Sequence, residues 1–138
     1  MISASRTVLR RAMILLLLVI PLRAEYLRIE LTIYGLDCEL CARGVSASIK
    51  KLAGVHSAKI SLQTGVLEIV LEPGNNFKMS DLRKRIRQNG FRSMGAKITA
   101  LGVFKGSKFE VLGTGESYPL PNHDSAAETP ERITFEIH

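Results

Sequence analysis

Leu27-Arg28-Ile29-Glu30-Leu31-Thr32-Ile33-Tyr34-Gly35-Leu36-Asp37-Cys38-Glu39-Leu40-Cys41 carries two periodicities in succession. Leu27, Ile29, Leu31 and Ile33 alternate with Arg28, Glu30 and Thr32, the period-two pattern of a half-buried strand. Gly35-Leu36-Asp37 breaks that pattern, and a helical one follows. Cys41, Val45, Ile49 and Leu52 form one stripe, which predicts a helix from Cys38 to Leu52. Lys50 and Lys51 suit the negative end of its dipole, and Gly54 stops it.

Downstream of this unit the pattern continues with Val55 to Leu62 as a second strand, a turn at Gln63-Thr64-Gly65, and Val66 to Glu72 as a third strand. After the loop Pro73-Gly74-Asn75-Asn76, Ser80 is the expected cap of a helix running to about Gln88 and ending at Asn89-Gly90. Gly95 to Phe104 reads as a fourth strand. Strand, helix, strand, strand, helix, strand is the split βαβ order. The predicted fold is therefore α+β, a ferredoxin-like βαββαβ sandwich with an antiparallel sheet and two helices on one face. Beyond it, Phe109 to Leu112 can return as the second arm of a hairpin around Lys105-Gly106-Ser107-Lys108. Pro119 to Pro130 reads as a polar loop. Arg132 to His138 alternates again, with Ile133, Phe135 and Ile137 on one face. These tail strands either extend the sheet or form a small β-subdomain.

Upstream, Arg6, Arg10 and Arg11 precede an apolar run from Ala12 to Leu22. That run is about 11 residues, against the roughly 20 that a spanning helix needs. It is expected to be an export signal, cleaved after Ala24, with the protein working in the periplasm or outside the cell. The expected organisation is residues 1–24 as signal peptide, 25–104 as the ferredoxin-like domain and 105–138 as a β-rich C-terminal extension.

Composition narrows the function classes. The 138 residues carry a formal charge of +6, and removing the four arginines of the first 24 residues leaves 15 basic against 13 acidic residues. So small a surplus gives no electrostatic case for nucleic acid. Two cysteines cannot build a disulfide-dense scaffold. The two present, Cys38 and Cys41, form a CxxC at the strand-to-helix turn, a spacing that chance would give on the order of once in seventy chains of this length. Free N–H groups and the positive dipole of the first helical turn favour thiolates there. Two thiolates on an exposed loop suit a thiophilic ion: Cu(I) or Hg(II) held by two sulfurs, or Zn(II) with added ligands. The alternatives are a local disulfide with no ligand, and thiol–disulfide redox chemistry, although no Trp-Cys-Gly-Pro-Cys sequence is present.

From Glu30 to about Phe104 the chain resembles the heavy-metal-associated domain of copper chaperones, metal-exporting P-type ATPases and the periplasmic mercury-binding protein. The family's GMxCxxC loop matches Gly35-Leu36-Asp37-Cys38-Glu39-Leu40-Cys41. Its glycine-valine entry to the second strand matches Gly54-Val55, and Asp81 to Phe91 is similar to its second helix with the terminal glycine-aromatic pair. The resemblance implies metal ligation by Cys38 and Cys41, with Leu36 packed beneath the loop in place of methionine and Phe91 shielding it. Asp37 stands where a carboxylate precedes the first cysteine in domains resembling those of zinc-, cadmium- and lead-exporting ATPases, and is a possible third ligand for a divalent ion.

His56, His123 and His138 lack ligand spacing to the cysteines and read as solvated. Arg83, Lys84, Arg85 and Arg87 crowd the second helix, either as a solvated outer face behind Leu82 and Ile86 or as a dock for an acidic protein partner. The reading is a non-enzymatic, exported protein that captures a heavy-metal ion, Cu(I), Zn(II) or Hg(II), and passes it to a metal-transporting membrane protein or another thiol acceptor. The rival reading is a protein-interaction or sensor module on the same scaffold, with the cysteines in a local disulfide.

Overall fold

The computed structural model describes residues 25–121 and 129–138. The expected signal at 1–24 and His123 lie outside the described residues. Strand β1 (Tyr26–Tyr34) is followed by helix α1 (Glu39–Lys50), β2 (Val55–Ser61), β3 (Val66–Leu71), α2 (Met79–Gln88) and β4 (Arg92–Lys105). The tail adds β5 (Lys108–Val111), β6 (Glu116–Pro119) and β7 (Glu131–Ile137). The first four strands pair antiparallel in the order β2-β3-β1-β4, with β1 at the centre. This is the ferredoxin-like arrangement expected from the sequence.

From Ile29 onward, alternation along β1 sorts its side chains as predicted, whereas at the start of the strand a register shift buries Tyr26 in place of the expected Leu27. Ile29, Leu31 and Ile33 are buried, while Arg28, Glu30 and Thr32 lie on the open face of the sheet. On that face Lys59, Glu68, Glu30, Lys97 and Glu136 sit in register across five strands. Glu30 and Glu68 are directly opposed like charges, and Arg28 relieves the repulsion by bridging both at 3.0 Å. A charged row of this kind keeps the open face in water, so the core lies on the helical side.

Both helices depart from their expected ends. The buried stripe of α1 is Ala42, Val45 and Ile49, with Cys41 and Leu52 only partly covered at its margin. Cys41 sits in the first turn, where the helix rises from the rim of the sheet, so the stripe is turned by one residue. Ser80 is not the cap of α2. Lys78 occupies that position without a side-chain cap, and the Glu116 carboxylate of β6 instead accepts from the N–H groups of Met79 (2.9 Å) and Ser80 (3.2 Å). A cap supplied from 36 residues downstream leaves no local sequence signature.

The tail extends the sheet. β4 runs 14 residues, longer than the expected 95–104, and gives both edges to new partners. Gly102 faces Val111 of β5 on one edge and Glu131 of β7 on the other. Because β1 and β7 both pair with residues 96–100 of β4, β5 continues the edge held by β1 and β7 covers the opposite one. Glycine is required at 102, since a Cβ there would collide with the Glu110 carbonyl oxygen and the Phe109 ring. Strand β6 falls partly in the stretch expected to be loop. Phe109, Val111 and Phe135 belong to the same buried cluster as Ile29, Leu31 and Ile98. Phe109 meets Phe104 at 5.1 Å and Phe135 at 5.6 Å between ring centres.

Candidate metal centre

The site grows from the end of β1 that points away from the tail hairpin. Gly35, at φ +83, turns the chain out of the strand in a conformation that disfavours a side chain. Leu36 folds back into the core at 6% exposure, anchoring the loop from below, while Asp37 stays exposed. Cys38 then takes the N-cap position of α1 in an extended conformation (φ −118, ψ 131), and its carbonyl accepts from Ala42 N at 2.9 Å. Its Sγ accepts from the Cys41 backbone N–H at 3.1 Å, so the sulfur does the capping usually done by a serine or aspartate oxygen.

Both cysteines are free thiols and half-buried. Their protons are shared unequally. Cys38 is held below the ordinary thiol value, first by a hydrogen bond from the Cys41 side chain and then by the Cys41 backbone N–H. Cys41, as donor to Cys38, is pushed up, with burial and the Cys38 and Asp37 charges adding to the effect. The charge of Asp37 works against thiolate formation at both positions. The pair therefore gives up its first proton from Cys38 more readily than from Cys41.

Among the described residues, no three His, Cys, Asp or Glu side chains gather as a metal-holding group. The donor set in hand is two sulfurs, which fits a soft ion of low coordination number. His56 is exposed on β2, and His138 follows β7. Glu39, between the cysteines, is exposed and paired with Arg43 at 2.6 Å. Phe91 is partly buried against the core, with its N–H bonded to Ile86 O at 3.2 Å. Of the basic residues on α2, Arg85 is engaged with Ser48 O (3.0 Å) on α1 and Arg83 is half-buried, so Lys84 and Arg87 are the exposed ones.

Sequence reasoning missed a polar cluster at the other end of β1. Tyr26, fully buried, donates to Glu116 Oε2 at 2.5 Å, and its hydroxyl lies 2.7 Å from that of Tyr118. Burial, followed by these two partners, raises the Tyr26 phenol far above its ordinary value, so it stays protonated. Nearby, Asn75 is buried and clamps Tyr26 O (2.8 Å) and Glu72 O (2.7 Å) with one amide. Only the Asn75 position carried a signal, in the turn composition Pro73-Gly74-Asn75-Asn76.

Residues 30–92 match the family model of the heavy-metal-associated domain. The matched stretch is just under half of the chain and stops at the start of β4. Solved structures similar to it include a CopZ metallochaperone, at 21% identity over 49% of this chain and 98% of that one, with a TM-score of 0.46. A copper binding domain from HMA7, a P-type ATPase, is 25% identical over 49% of this chain and 90% of its own, with a TM-score of 0.45. Oxidized MerP from Ralstonia metallidurans CH34 is 18% identical over 51% of this chain and 94% of its own, with a TM-score of 0.43. No curated protein matches the chain.

Proposed function

We propose that this protein is an exported carrier that captures a soft metal ion between Cys38 and Cys41 and hands it on by thiol ligand exchange. The observation that carries the reading is the bond from Cys41 N–H to Cys38 Sγ at the start of α1, within the stretch that matches the heavy-metal-associated domain. It holds one sulfur in a field that favours thiolate, while both thiols remain reachable from solvent.

Capture displaces the shared proton as two metal–sulfur bonds form. In transfer, a thiolate of the acceptor adds to the ion to give a three-sulfur intermediate. The bond to one cysteine then breaks, that sulfur regains a proton, and a second acceptor thiol displaces the other. No oxidant or reductant is needed. Two sulfur donors suit Cu(I) or Hg(II) as cargo, and Asp37 would add an oxygen donor for Zn(II). A metal-transporting membrane protein is the natural acceptor, with Lys84 and Arg87 offering charge to an acidic partner.

Anaerobic titration of the reduced protein against a competing chelator tests this. One ion per chain, bound in the wild type and lost in Cys38→Ser/Cys41→Ser, is the expected result. Failure of Cu(I), Hg(II) and Zn(II) alike to leave the chelator would sink the reading, and the domain would then be a scaffold without cargo.

A further inference from the structure

The sheet ends in three strands with a free edge among the described residues: β2, β6 and β7. An unprotected edge strand is a template for another strand, and soluble proteins blunt such edges with lysine, proline, irregular pairing or covering side chains. On β2, Lys59 stands mid-strand, the register shifts between Val55 and Ser57, and the Ser46 hydroxyl of α1 occupies Ala58 O at 2.6 Å. β6 is four residues long and contains Pro119. Among the described residues, β7 shows none of these devices. It pairs with β4 over seven consecutive positions without a shift, and Glu131–Ile137 holds neither lysine nor proline.

Its sequence is complementary to itself. Arg132 and Glu136 are exposed, lie two residues on either side of Thr134, and so share one face. Neither has an ion-pair partner among the described residues. We propose that the free edge of β7 pairs antiparallel with β7 of a second copy of this chain, about a twofold axis through Thr134. Arg132 of each copy then faces Glu136 of the other. On the opposite face Ile133 meets Phe135 twice, covering isoleucine that is only half-buried in the single chain. Moving the axis to Ile133 sets Glu136 against Pro130, and moving it to Phe135 sets Arg132 against His138, so the charge pattern selects one register.

The resulting dimer is one continuous sheet. A twofold axis normal to the sheet keeps both helix layers on the same side, and β7 runs in the direction of β1. The two cysteine loops therefore lie at opposite ends of the joined sheet, and both stay open. A seven-residue edge contact is small beside the roughly 1,600 Å² of a standard interface, so exchange with monomer is expected.

Sedimentation equilibrium of the chain as it accumulates in the cell, purified reduced and metal-free, provides the test. The wild type should associate with rising concentration. Arg132→Glu and Glu136→Arg should each weaken association at least about ten-fold by opposing like charges, and the double reversal should restore it. Far-UV circular dichroism and thermal unfolding check that each variant is folded. Association should persist in Cys38→Ser/Cys41→Ser. Any of three results overturns the proposal: a wild type that stays monomeric, leaving the edge to a strand of a different protein; a dimer indifferent to both reversals; or a dimer lost with the cysteines, which would make it metal- or disulfide-bridged.

Discussion

The two ends of β1 are built for opposite purposes. At its C-terminal end Tyr34, 71% exposed, leads into a glycine turn and two free thiols, with Leu40 between them 77% exposed. At its N-terminal end Tyr26 is 0% exposed and its hydroxyl meets Glu116, which also caps α2. A nine-residue strand separates the two ends by roughly 30 Å at about 3.3 Å per residue. The exposed end leaves both thiols within reach of solvent, while the other fastens the tail to the domain and caps α2. Metal affinity and folding stability should therefore respond to different substitutions.

The largest separation is expected from the cysteines. Cys38→Ser/Cys41→Ser should abolish competition with a chelator, yet change unfolding free energy in urea by only about 1 kcal/mol, since the thiols are half-buried and cap a single turn. A loss of several kcal/mol in the metal-free protein would show that the loop is part of the folding core. The converse variant is Phe109→Ala. Phe109 is fully buried and stacks with Phe104 and Phe135, so its truncation should cost about 3–5 kcal/mol. Metal stoichiometry in the folded fraction should stay at the wild-type value.

A smaller effect sharpens the comparison within the buried end. Glu116→Ala removes the acceptor for the Tyr26 hydroxyl and for two N–H groups of α2. About 1–3 kcal/mol of stability should be lost, read from the urea midpoint at unchanged slope. Tyr26→Phe should cost less, about 1 kcal/mol, because Glu116 keeps both helical donors. Equal losses from the two variants would mean that the cap on α2 contributes nothing.

These differences follow the line between what the sequence discloses and what it does not. Ile29, Leu31 and Ile33 announce a strand because their period is local, and the CxxC announces its site because both sulfurs fall within one helical turn. The same locality led to Ser80 as a cap, a role that belongs to Glu116 from across the chain. The hairpin of β4 with β5 was legible from its local turn, but the pairing of β4 with β7 was hidden, since alternation in Arg132 to His138 gives a strand its faces but does not name its neighbour. The Tyr26–Glu116 contact joins residues 90 positions apart, and nothing in either neighbourhood of the sequence marks it.

The smallest expected effect bears on the exposed end alone. Cys38 is lowered and Cys41 raised, so thiolate appears at Cys38 first as pH climbs. Peptide-resolved alkylation with iodoacetamide should show Cys38 reacting with a midpoint below the usual thiol value of about 8.5, and Cys41 above it. Asp37 disfavours negative charge at both sulfurs, so Asp37→Asn should move both profiles to lower pH without reversing their order. The shift is modest because Asp37 is exposed and water screens it, and added salt should shrink it further. Stability should not move, as Asp37 makes no contact with the buried end. If Asp37→Asn left both profiles in place, its carboxylate would have no electrostatic hold on the loop. Any effect of the same variant on Zn(II) affinity would then come from lost coordination rather than from thiol acidity.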